Sequence, residues 1–289
     1  MDSLTHALII AIPLALAGRS DLAVYGILGA VLIDVDVIFS LFSDRDPRLY
    51  IFTHGGFTHS FFGAFAVVLL SAAASFPISL AFPSLMAPFG PAAAMAIAAG
   101  ALTHLAADYL AYPGIPLLYP VSDRKYTLGI LGGPSAFLML GSLAYIGAMA
   151  FGIARLDQPW PYIAFFGLVI AFCAGAKAWT ALKVKGRTIA TMNPFKWMVI
   201  EEIPDAYRFY SYDFFKGPSP AEEYEKYTGL TAAEAEKNAG TPEMRRLRYN
   251  SYIVVAEKNG GTITFRDPIR EKGHIWYPPQ HKSLVISAE

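Results

Sequence analysis

The chain has 289 residues, of which 54% are hydrophobic and 16% charged, with a mean hydropathy of +0.39 and no formal net charge. A water-soluble domain is nearer a quarter charged, so this composition excludes an ordinary soluble enzyme. The neutral balance excludes bulk attraction to nucleic acid. The single cysteine, Cys173, excludes an intramolecular disulfide and any cysteine-rich metal or iron–sulfur site.

The charges are unevenly placed. Residues 1–180 hold nine Asp, seven Lys or Arg and no Glu, and the remaining charges lie beyond them. The chain therefore divides into a transmembrane bundle over 1–182 and a water-facing domain over 183–289. Apolar segments of spanning or near-spanning length fall at 4–18, 22–42, 57–75, 91–112, 127–152 and 160–182. The expected fold is a membrane all-α helical bundle of about six transmembrane helices with a small C-terminal α+β domain. Pro13 bends the first segment. Its end, Ala15-Leu16-Ala17, resembles a signal-peptidase site, but no Lys or Arg precedes it and Asp2 does, so it reads as an uncleaved helix.

Loop charge sets the orientation. Arg45, Arg48, Arg124, Lys125, Lys183, Lys185 and Arg187 fall on one side, against Arg19 and Arg155 on the other. By the positive-inside rule both termini and the C-terminal domain are cytoplasmic, in a chain integral to the cell (inner) membrane. In that domain Trp197–Ile203 and Ala206–Phe215 predict a hairpin around Pro204-Asp205. Ala221–Tyr227 and Thr231–Lys237 predict short helices. Ser251–Glu257 and Thr262–Arg266 predict a second hairpin around Asn259-Gly260-Gly261. His274 and His281 read as surface residues, and no catalytic motif occurs there.

Function concentrates in the apolar half. It holds His6, His54, His59 and His104, with Asp34, Asp36 and Asp108. An Asp at the centre of a membrane helix costs about 2.5–3.5 kcal/mol, so such residues must face one another, water or a metal. With the N-terminus inside, all seven fall at one membrane level on the cytoplasmic side. His104 and Asp108 are i,i+4 and share a helix face. His54 and His59 flank a glycine turn. Asp34 and Asp36 are i,i+2, which a regular helix splays by roughly 200°. Either the helix loosens there, or one Asp is a ligand and the other holds a ligand histidine. Imidazole with carboxylate favours zinc, manganese or iron, and seven candidates allow one or two ions, zinc first. A proton or ion pathway and a structural polar network are the other readings of the same residues.

Asp2-Ser3-Leu4-Thr5-His6, Gly29 to Asp36, His54-Gly55-Gly56-Phe57-Thr58-His59-Ser60 and His104-Leu105-Ala106-Ala107-Asp108 resemble, in order, the motifs of the YdjM-like membrane-bound metal-dependent hydrolases. Leu118 to Arg124 resembles that family too, and Asn193-Pro194-Phe195-Lys196-Trp197 resembles its YfhP-like branch with a cytoplasmic extension. Ile33 stands where the family pattern has proline, and Gly55 where it has arginine. The resemblance implies an integral membrane hydrolase acting through a metal-activated water, with His6, Asp34, Asp36, His54, His59, His104 and Asp108 as the metal shells. Asp34 or Asp36 would serve as base, and Asp2 as an outer partner. A site at headgroup level suits a membrane lipid or a small or lipid-linked ester, phosphoester first. Thr58, Ser60, Arg124 and Lys125 are the expected substrate contacts, with Ser122-Asp123 near them. A metal- or proton-coupled transporter, or a non-enzymatic membrane regulator with a structural metal, are the alternatives.

Overall fold

The structure is a computed structural model and describes residues 1–275 and 280–287. It forms two compact units. One comprises Met1–Ile38, His54–Trp179 and Ala190–Pro194, and the other comprises Phe39–Thr53, Thr180–Ile189 and the chain from Phe195 onward.

In the first unit, α1 (Ser3–Leu16) starts where extended Asp2 accepts the Thr5 amide at 3.0 Å, a side-chain cap. Helix α2 (Ala23–Val31) does not continue as a regular helix. Leu32–Phe39 winds into eight residues of 3₁₀ conformation, and α3 (Ser40–Ser43), which follows in sequence, belongs to the second unit. A 3₁₀ run beyond three or four residues is uncommon, and this one carries both Asp34 and Asp36. Helix α4 (Phe61–Ala81) begins at the Ser60 cap, and α5 (Pro91–Asp108) begins with proline in its first turn.

Helix α5 stops at Asp108, and β1 (Ala111–Tyr112) pairs in parallel with β2 (Leu131–Gly132). The segment expected to be helical from 127 is instead non-helical up to Ser135, with only Leu131–Gly132 in a strand. Gly129 and Gly133 take left-handed φ values of +58° and +66° and Pro134 follows, which together forbid a helix. Helix α6 (Ala136–Ala150) starts only after the Ser135 cap, and α7 (Trp160–Lys183) follows.

Among the described residues, Ser20–Ser43, Phe61–Ala81 and Trp160–Lys183 are long and apolar enough to cross a membrane. Helices α1 and α6, with 14 and 15 residues, are apolar but shorter. At about 1.5 Å per residue they fall short of a ~30 Å hydrocarbon core.

The tightest packing is between α2 and α5. A Cβ on Gly29 would lie 1.9 Å from the Ile97 carbonyl oxygen, and one on Gly100 would lie 2.0 Å from that of Gly26. Only glycine permits this approach, which brings the end of α2 against His104. Buried Ile33, Ala64, Ala101 and Leu105 fill the neighbouring core. Thr5 Oγ1, Ser142 Oγ and Tyr162 OH form a hydrogen-bonded chain at 2.8 Å per step, tying α1 to α6 and α7.

Among its described residues, the second unit contains two sheets. Strands β3 (Arg187–Ala190), β4 (Lys196–Glu202), β5 (Ala206–Asp213) and β6 (Gly217–Pro218) line up in that order, with β7 (Glu222–Glu225) also on β5. The expected β4–β5 hairpin is present, with Val199 opposite Tyr210. The helix expected over 221–227 is instead β7. Ser219-Pro220 leads it in, and its register sets Glu223 opposite Arg208, which it pairs at 2.8 Å. Tertiary pairing overrides a helical preference there.

The other sheet runs β11 (Ser283–Ser287), β10 (Thr262–Arg266), β9 (Val255–Asn259), β8 (Tyr227–Thr228). The expected β9–β10 hairpin and α8 (Ala232–Glu236) are both found, the latter with a Thr231/Glu234 capping box. Helix α9 (Pro242–Asn250) escaped the pattern because only Met244 and Leu247 are buried among its arginines. Its start signals, Thr241 and Pro242, were in view. Short α10 (Pro268–Glu271) completes the unit.

Candidate metal centre

Four side chains from three segments converge within the first unit. His59 comes from the turn before α4, His104 and Asp108 from the last turns of α5, and Asp34 from the 3₁₀ run. His59 Nε2 and His104 Nε2 are 3.1 Å apart. Asp34 Oδ1 is 3.5 Å from the first and 3.6 Å from the second. Asp108 Oδ2 is 3.3 and 3.4 Å from the same two atoms. Both histidines are fully buried, whereas the Asp34 and Asp108 side chains keep 15% and 13% exposure.

The surroundings fix both histidine tautomers. His104 Nδ1 faces the Ala30 carbonyl at 2.6 Å and can only donate to it, so Nε2 of the neutral ring carries a lone pair. His59 Nδ1 faces Asp36 Oδ2 and Thr58 Oγ1, both at 3.1 Å. The Thr58 hydroxyl gives its proton to Asp36 at 2.6 Å, so His59 Nδ1 must also donate. With both rings neutral, two Nε2 lone pairs and two carboxylate oxygens thus face a common point. A tetrahedral site with bonds of about 2.0–2.1 Å has donors separated by about 3.3–3.4 Å. The residues present fit a divalent cation.

His6 is not one of these four donors. Its ring stacks on His104 with centroids 3.7 Å apart, and its Nε2 is 3.3 Å from Asp108 Oδ1. Neither buried His6 nitrogen completes a hydrogen bond. The Met1 amino group lies against the same Asp108 oxygen.

Asp36 has a different place. Its Oδ2 accepts Thr58 Oγ1, the Gly55 amide at 3.1 Å and His59 Nδ1, and its Oδ1 accepts His54 Nδ1 at 2.8 Å. Asp36, His54 and His59 also form a possible ligand group. Both histidines of this group already turn Nδ1 toward Asp36. Asp36 thus holds His54 and His59 from beside the four-donor group. The hydrogen bond to Asp36 raises the His54 pKa above that of a free imidazole. Gly55, where the family pattern has arginine, takes a φ of +75° that L side chains rarely adopt.

The other expected site residues are engaged elsewhere. Thr58 is held by Asp36, and Ser60 Oγ accepts the Gly63 amide and donates to Phe57 O. Asp2 caps α1 and accepts the Thr5 hydroxyl at 2.6 Å. Arg124 is exposed over the Tyr126 ring, and Lys125 is half-buried in the same loop. Two contributors had escaped sequence reading. The Ala30 carbonyl has no side-chain signal, and Ser3, which donates to Asp34 Oδ2 at 3.1 Å, was visible only as a motif letter.

The family model described as YdjM inner membrane protein matches residues 1–183. No curated protein and no solved structure matches the chain.

Proposed function

Because the chain belongs to the YdjM inner membrane protein family, we propose that it is an integral membrane hydrolase whose metal is held by Asp34, His59, His104 and Asp108. Its substrate is a lipid or lipid-linked ester, phosphoester first, reached at the cytoplasmic headgroup level. The observation that carries the reading is the convergence of the His59 and His104 Nε2 atoms, 3.1 Å apart, on the Asp34 and Asp108 carboxylates. A bound divalent cation supplies Lewis acidity and lowers the pKa of water at neutral pH.

The chain's own groups supply the rest. Ala30 and Asp36 hold the two rings so that Nε2 points inward. The His54 side chain is 39% exposed, and with Nδ1 committed to Asp36 its Nε2 is the position where a proton comes on and off. Asp36, already accepting four hydrogen bonds, is a poor base. The Lys/Arg bias of seven against two supports cytoplasmic termini.

A second reading rests on donor count. Four protein donors make the closed set of a structural zinc site, which favours a membrane regulator without turnover. The test is metal content of detergent-purified protein beside His59→Ala and His104→Ala, followed by assay on phospholipid esters. Metal at about one equivalent in wild type, lost in folded variants, supports the centre. Turnover that disappears with the metal separates the enzyme from the regulator, and a metal-free folded wild type overturns both.

A further inference from the structure

The loop Phe39–Thr53 packs within the second unit, together with the C-terminal elements. Arg246 of α9 donates through Nη1 to the Ser43 and Asp44 carbonyls at 3.4 and 3.3 Å, capping the end of α3. The Tyr249 ring, one turn along α9, meets Tyr50 edge-on with centroids 5.4 Å apart. His281 Nε2 lies 3.3 Å from Asp44 Oδ1. Inside the loop, Phe39 and Phe52 contact edge-on at 6.4 Å, and Asp46 caps a turn over Pro47–Leu49.

This loop is also the chain that leaves Asp36 and re-enters at His54. Those residues are 18 apart in sequence, and their 2.8 Å hydrogen bond closes the loop. Closing a free loop costs conformational entropy, and a loop already fixed along its length forfeits less on closure. Asp36 in turn holds the His59 ring. Loop order therefore bears on the direction of a ligand nitrogen.

We propose that Arg246 and Tyr249 are positioning residues for the metal centre, holding the 39–53 loop in the conformation that presents Asp36 and His54. The proposal rests on the metal-centre reading above. It gives the C-terminal domain a task in the membrane half: removing its grip loosens the loop and weakens metal binding without removing a ligand.

The test uses the full chain in detergent, with zinc as the probe in a competitive chelator titration. Arg246→Ala and Tyr249→Leu are compared with wild type, with Tyr50→Leu made from the loop side and Lys226→Ala as a control elsewhere in the domain. Hydrogen exchange is read at 39–53 for loop order, and at β9 and β10 to show that the domain remains folded. The expected result is faster exchange in 39–53 and a zinc dissociation constant raised about tenfold in the first three variants, within the usual range of coupling between sites. Wild-type affinity in variants with a loosened loop overturns the proposal and leaves the metal centre standing. Unchanged loop exchange in folded Arg246→Ala and Tyr249→Leu also overturns it. If Arg246→Ala loses β9 and β10 protection, Tyr50→Leu decides by the same two readouts. A wild type that takes up no zinc overturns the centre, and the proposal with it.

Discussion

His104 Nδ1 donates to the carbonyl oxygen of Ala30 at 2.6 Å, across 74 positions of sequence. That single bond decides which nitrogen of the ring faces Asp34, His59 and Asp108. It exists because α2 and α5 touch backbone to backbone at Gly29 and Gly100. Packing of small residues thus sets which nitrogen His104, a candidate ligand, turns toward the cluster.

Gly100→Ala is therefore expected to damage the centre without altering a donor. Its Cβ would need to displace the Gly26 carbonyl oxygen, 2.0 Å away, so the helices separate and His104 loses Ala30. The cost is about 1–3 kcal/mol of stability, as for overpacking generally. A lowered thermal midpoint together with reduced metal content checks this. A variant with wild-type values in both would contradict the close approach.

Asp36→Asn tests the separation of ligand from support. Asp36 orients His59 and His54 but is not among the four converging donors. The expected result is metal affinity weakened about 10–100-fold, the usual effect of losing such a partner. His104→Ala, by contrast, removes a donor and should abolish stoichiometric binding. Equal loss in the two variants would make Asp36 a direct ligand.

Arg270 carries a stability prediction in the second unit. It is fully buried and donates to the Gln280 carbonyl at 2.6 Å and the His281 carbonyl at 3.1 Å. Arg270→Ala strips donors from both, at a cost of about 3 kcal/mol for a buried charged group's hydrogen bonds. Chemical denaturation of the full chain, followed by tryptophan fluorescence, reads the shift.

The α8 capping box gives a pH dependence of defined sign. Glu234 accepts the Thr231 amide and hydroxyl and pairs with Lys258, which pushes its pKa down from 4.5 to about 2. A depressed carboxylate pKa stabilises the folded form above the unfolded value, and that contribution is lost as pH falls toward the folded one. Exchange protection of the Ala235 amide should thus decline between pH 4.5 and about 2. Glu234→Gln should flatten that decline.

The sequence by itself determined the apolar character of the first part, the hairpins β4–β5 and β9–β10, and the singling out of seven histidines and aspartates. Alternation, turn residues and helical spacing are local, so each is visible in a short window. The same windows missed the non-helical stretch before Ser135, because an apolar run looks alike in helix and strand and two glycines with Pro134 decided it. They also turned 221–227 into a helix, since nothing local announces that β5 offers an edge to pair with.

Only the tertiary structure divided the seven residues. Asp34, His59, His104 and Asp108 point their free atoms at one place, Asp36 and His54 hydrogen-bond beside them, and His6 stacks behind His104. Spacing along a helix says which face a side chain occupies. Which ring nitrogen keeps its proton depends on an acceptor brought in from another element, and that is settled only when α2, α5 and the turn before α4 have packed.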